Sequence, residues 1–109
     1  MTAYAFKQNQ VELADAHWRA IDRVLARWVL AHGGSMMLAQ CAAHCSFAEG
    51  LGHTAVVLDA DVADAIVSEP LVGRGESTSA FVLDDARRFY VWRNFDAERA
   101  VATAISARL

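Results

Sequence analysis

The sequence predicts a small α+β domain with three to four helices, one short strand and a β-hairpin. Three observations carry this expectation. Apolar residues recur at helical spacing from Val11 to about Ala31. A second stretch, Met36 to about Glu49, is apolar or small on almost every face. The segments Thr54 to Asp59, Ala80 to Asp84 and Arg88 to Arg93 are short and rich in β-branched and aromatic residues.

In the first helix, Ala14, Trp18, Ile21, Leu25 and Trp28 form the expected core stripe, widened by Val24 and Val29. Asp15, Arg19, Asp22, Arg23 and Arg27 occupy the expected solvent side, with Asp15 and Arg19 four residues apart as an ion pair. Gly33-Gly34 ends this helix. Ser35 caps the second helix by offering its hydroxyl to an orphan backbone N–H. The small residues Ala39, Cys41, Ala42, Ala43, Cys45 and Ala48 let other elements approach closely, so this is the expected central helix. Gly50 and Gly52 stop it.

Thr54 to Asp59 is the expected buried strand, and Asp59 or Asp61 caps a short helix carrying Val62, Ala65 and Ile66. Ser68 to Ser79 contains Pro70, Gly73 and Gly75 without periodicity, which predicts a loop. The hairpin turns at Asp85-Ala86-Arg87, with no Asn-Gly or Asp-Gly to define the turn type. Phe89, Val91 and Arg93 alternate with Tyr90 and Trp92, placing aromatic groups on both faces. A last helix beginning near Asn94 or Asp96 directs Val101, Ala104 and Ile105 inward. Met1 to Gln10 reads as a polar, frayed start without the apolar core of a secretory signal. With 109 residues and no linker or repeat, the whole chain, 1–109, is one domain.

Composition narrows the function. A net charge of −3 gives no general attraction to phosphate backbones, which disfavours a stand-alone DNA-binding module. No apolar run approaches the roughly 18 residues of a membrane span, and cysteine usage fits a reducing, cytoplasmic setting. Gly73-Arg74-Gly75 is the nearest approach to a phosphate loop, but neither a lysine nor a helical pattern follows it. Cys41, His44 and Cys45 share a helix with His53 beyond, and are the one metal-like constellation. A structural zinc site needs four ligands and a polar second shell, and alanines surround these, so apolar packing of the thiols is the better reading. The same surroundings lack the electropositive setting a cysteine nucleophile needs. Asp84 and Asp85 are adjacent, so on a strand they point apart, and a turn role is expected. We therefore expect no catalytic residue, no metal and no cofactor.

Two surfaces remain as candidates for binding. Arg87, Arg88, Tyr90, Trp92 and Arg93 combine the side chains that anchor interfaces and also stack on bases. Arg19, Arg23 and Arg27 form a weaker second row at i,i+4 spacing, interrupted by Asp22.

The stretch Leu38-Ala39-Gln40-Cys41-Ala42-Ala43-His44-Cys45-Ser46, followed by Glu49-Gly50-Leu51-Gly52-His53 and the strand from Thr54 to Leu58, resembles the N-terminal domain of RecD. RecD is the alpha subunit of the exonuclease V (RecBCD) helicase–nuclease. A second match is Phe89-Tyr90-Val91-Trp92-Arg93-Asn94-Phe95 with Glu98-Arg99 and Val101-Ala102 beyond. Ile21-Asp22-Arg23 and Leu25-Ala26-Arg27 fit the family's opening helix. The resemblance covers roughly residues 15 to 109, and the order of the segments carries it. It implies a non-catalytic domain that attaches the alpha subunit to the gamma (RecC) subunit in recombinational DNA repair. The ATP-dependent 5′–3′ helicase motor, with its phosphate loop, lies outside this sequence, and DNA is met only through the full complex. It also implies an apolar patch left exposed on the isolated domain, and with it a capacity for self-association. The alternative is a small nucleic-acid-binding module working through the arginine and aromatic surface.

Overall fold

A computed structural model describes residues 3–6, 18–76 and 78–108. The fold is α+β. Its described elements are β1 (Ala3–Phe6), α1 (Ala20–Ala31), α2 (Met36–Gly50), β2 (Ala55–Leu58), α3 (Ala60–Ile66), β3 (Val72–Gly73), β4 (Phe81–Leu83), β5 (Arg88–Val91) and α4 (Trp92–Arg108). The strands form one mixed sheet in the order β1-β2-β5-β4-β3.

The expected hairpin, β4 and β5, supplies two neighbouring strands of that sheet, with Phe81 opposite Val91 and Leu83 opposite Phe89. β2 pairs antiparallel to the other side of β5, with Val56 opposite Phe89. The row Val56, Phe89, Leu83 therefore crosses three strands on one face. β1 adds in parallel to β2, and β3 in parallel to β4. These two edge strands correct the sequence reading. Part of the expected polar start is β1, and part of the expected Pro/Gly loop is β3. Each is too short for alternation to show, and edge pairing needs only backbone groups.

Strand alternation sorts the core into two layers. Val56, Leu58, Phe81, Leu83 and Phe89 join Val29, Leu38, Cys41, Cys45, Val62 and Ile66 in one buried cluster between the sheet and α1 to α3. Ala55, Val82, Tyr90 and the half-buried Trp92 form a second cluster on the other face. α4 packs against β5 and β4. The rings of Phe81 and Phe89 stack with centroids 5.2 Å apart.

α2 is the buried centre expected of it. Nine of its fifteen residues are buried, so its small side chains serve close approach on several sides at once. The Ser35 cap forms as expected, the Leu38 N–H donating to its hydroxyl at 3.0 Å. Asp59 caps α3 in the same manner, accepting from the Asp61 N–H at 3.1 Å. Gly33 ends the preceding turn at φ +87°, a backbone conformation that costs glycine little. The hairpin turn, undefined by sequence, is built on Asp84. Its carboxylate accepts from the Ala86 and Arg88 N–H groups, each at 2.9 Å, while Arg87 takes φ +62°. This fits a three-residue loop closing through a left-handed residue, and gives Asp84 its expected turn role.

Three helix expectations need correction. α1 begins at Ala20, not Val11, because Trp18 and Arg19 are non-helical; Val11, Ala14 and Asp15 lie outside the described residues. α4 begins at Trp92, so Trp92 and Arg93 are helical rather than the end of a strand. On α4, Ala104 and Ile105 are exposed rather than inward, and the Val101 side chain lies outside the described residues. Among the described residues no helix is long and apolar enough to cross a membrane.

Candidate functional site

The constellation Cys41, His44 and Cys45 lies in the core. Both thiols are buried, and Cys45 Sγ donates to the Phe89 carbonyl at 3.7 Å. Burial pushes the Cys45 thiol up to about 12, and pushes Cys41 above its ordinary value, with the neighbouring Cys45 adding to the shift. His44 is buried edge-on to Trp18, ring centroids 5.8 Å apart. Among the described residues no three His, Cys, Asp or Glu side chains converge as a metal site would require. Thiols held neutral in this way are poor nucleophiles. We expect both to be inert to Ellman's reagent in the folded chain and to react fully in denaturant; rapid labelling of either one in buffer contradicts this placement.

The glycine loop at Gly73-Arg74-Gly75 is also committed elsewhere. Gly73 is in β3, and the Arg74 guanidinium pairs with Asp85 at 2.5 Å. Beside it lies an open depression of about 150 Å³, lined in part by Asp64, Arg74, Asp85 and Arg87. It is smaller than the roughly 300–1,000 Å³ typical of small-molecule sites, and carries both signs of charge.

The hairpin candidates do not converge. Tyr90 is buried, 3% exposed, and packs with Val82 and Ala55 in its own domain, which removes it from any partner-facing set. Arg88 donates to Asp84 through Nε at 2.8 Å. Trp92 is half-buried with the Arg99 guanidinium 5.5 Å over its ring. Arg93 pairs with Glu49, whose other carboxylate oxygen accepts from Asn94 at 2.8 Å. Arg87 is exposed at the turn, and β5 separates it from Arg93 by roughly 3.3 Å for each intervening residue.

The arginine row on α1 is divided as well. Arg19 caps the helix rather than extending it. The Asp22 carboxylate, fully buried, accepts from the Arg19 backbone N–H at 2.8 Å, from its guanidinium at 2.8 and 3.3 Å, and from the Ser46 hydroxyl at 2.6 Å. Arg19 Nη2 also donates to the Ser46 carbonyl at 2.7 Å, joining α1 to α2. A Cβ at Gly50 would meet the Arg19 guanidinium, so a larger residue there has to push that side chain away from its Asp22 contacts. Burial opposes ionisation of Asp22 most strongly of all influences on it. Its hydrogen bonds from Arg19 and Ser46 together outweigh burial and hold the carboxyl below its ordinary range. Arg23 and Arg27 remain on the exposed side.

This network turns α1 about its axis relative to expectation. Asp22 and Val29 face the core, with Leu25 and Ala26 half-buried beside them. Ile21, Val24 and Trp28, expected in the core, are instead 58%, 49% and 39% exposed. They occupy positions i, i+3 and i+7, and so form one apolar line along the helix. Trp28 lies stacked on His32, centroids 4.1 Å apart, and meets Phe81 edge-on at 6.5 Å. The available sequence signal was the width of the apolar stripe, since Ile21, Val24, Leu25, Trp28 and Val29 together cover a broader arc than the roughly 100° a surface helix typically turns inward.

No protein-family model matches this chain, and no curated protein matches it.

Proposed function

We propose that this chain is the non-catalytic docking domain of a RecD-like exonuclease V alpha subunit, attaching that subunit to its gamma (RecC-like) partner. The observation that carries the reading is the apolar line Ile21, Val24 and Trp28, three exposed large apolar side chains aligned along one face of a single helix. A lone exposed leucine or valine needs no explanation, but three aligned large apolar groups, one of them tryptophan, resemble an interface anchor. The resemblance of the segment order to the RecD N-terminal domain supplies the partner's identity. In this reading the domain works in the cytoplasm, in recombinational DNA repair, and the ATP-driven motor belongs to the rest of the parent protein.

The nucleic-acid alternative loses support from the geometry, because Tyr90 is buried and Arg88 and Arg93 are engaged by carboxylates. A pull-down of this chain against the gamma subunit from the same source, at low and moderate salt, separates the two. Docking through apolar and aromatic groups predicts retention that survives moderate salt. Loss of the gamma subunit at both salts, with single-stranded DNA retained and released steeply by salt, would reverse the assignment.

A further inference from the structure

We propose that the line Ile21–Val24–Trp28, edged by Arg27, seats in an apolar groove with a carboxylate rim on a partner protein. This rests on the docking reading above and adds the surface and the chemistry of what it meets.

The line is convex and short, its three positions spanning roughly 10 Å of helix, which suits a groove that closes around it. It is also held ready. α1 is fixed from behind by the Asp22 network and by Val29, while Trp28 is confined between His32 and the edge of Phe81. His32 Nδ1 lies 2.8 Å from the Trp28 carbonyl oxygen, which fixes the stacked ring in turn. An anchor already ordered loses little conformational freedom on docking.

Charge identifies the rim. Asp22 is the only carboxylate in Ala20–Ala31, and it is turned inward and held by Arg19 and Ser46. The outward polar groups of α1 are therefore basic, and Arg27 lies next to Val24 at i+3 with no ion-pair partner among the described residues. The chain as a whole carries −3, so this basic edge is a local feature and does not attract anions everywhere. A phosphate backbone would satisfy Arg27 but leave Ile21 and Val24 uncovered. A second copy meeting the same face brings no carboxylate from its own α1. An apolar floor with acidic rim satisfies both requirements together.

The test measures affinity of the chain for the gamma subunit across a salt series, using Val24→Glu, Arg27→Glu and, as a distant control, Arg87→Glu. All three positions are exposed, so circular dichroism should show folded chains; Val24→Ser replaces Val24→Glu if that variant loses its helical signal. We expect Val24→Glu to bind at least about tenfold more weakly at every salt, because a carboxylate enters an apolar floor. Arg27→Glu should lose about three- to tenfold at low salt and approach the parent as salt rises. Arg87→Glu should bind as the parent does. If the parent fails to bind, the docking reading itself fails. If it binds and the Val24 variant binds equally well, docking holds and this surface is wrong. Loss of binding in Arg87→Glu alone moves the interface to the hairpin. Sedimentation that shows a dimer abolished by Val24→Glu, with the gamma subunit not competing, makes the occupant a second copy and overturns the proposal.

Discussion

Phe89→Ala is expected to remove a large part of this chain's stability at 25 °C. Phe89 is fully buried on β5, which is paired on both sides, so no edge is available for the sheet to relax towards. Its ring stacks on Phe81, and Val56 and Leu83 flank it in register. Removing such a ring costs about 3–5 kcal/mol, the lost transfer energy together with the cavity left behind. A domain of this size holds only about 5–15 kcal/mol in total. With a urea slope of about 1–3 kcal/mol/M, the midpoint should fall by roughly 2 M. Ile105→Ala is the contrasting variant. Ile105 is 56% exposed, and its replacement should leave the stability within about 0.5 kcal/mol of the parent. Equal midpoints for the Phe89 variant and the parent would mean that the sheet is not the centre of the fold.

Those two residues also illustrate what the sequence made legible. Phe89 was readable as strand because aromatic and β-branched neighbours surround it over a length that no helix needs. Alternation puts it and Tyr90 on opposite faces, but does not say which face meets the larger core layer. Ser35, Asp59 and the small residues of α2 were readable for the same reason, as local chemistry with a local consequence. Ile105 was misread because helical spacing indicates which residues share a face and not what that face meets. The same limit explains α1. Its apolar stripe was correctly a stripe, but its rotation is decided by the contact between Asp22 and Ser46, twenty-four residues apart. No periodicity can signal that an aspartate will point inward. The candidate surface was displaced accordingly, from the hairpin, where Tyr90 turns inward, to the helix, where Trp28 turns outward. The edge strands were missed on different grounds, since Ala3–Phe6 and Val72–Gly73 are defined by backbone pairing across the sheet.

Asp22→Asn should destabilise the chain by roughly 2–3 kcal/mol at neutral pH, the worth of hydrogen bonds made to a charged acceptor in a buried place. The amide keeps the size of the carboxyl but replaces one acceptor oxygen with a donor, which then faces the Arg19 guanidinium or the Ser46 hydroxyl. The one remaining oxygen can serve either the Arg19 N–H cap or the Ser46 hydroxyl, which the carboxylate serves together through its two oxygens. The dependence on pH makes the assignment specific. In the parent, the folded carboxyl titrates below its unfolded value of about 3.9, so its contribution is fully present above that pH and is lost as pH falls through the folded value. The unfolded chain then binds the proton more readily than the folded one, which is the sign for stability that rises with pH. The variant has no such group and lacks this part of the slope. Urea midpoints of the two chains should therefore lie furthest apart near pH 7 and draw together below about pH 4, as protonation turns Asp22 into the near-equivalent of asparagine. Two curves that stay parallel down to pH 2.5 would show that the Asp22 charge does not hold α1 to α2. The rotation that exposes Ile21, Val24 and Trp28 would then need another cause.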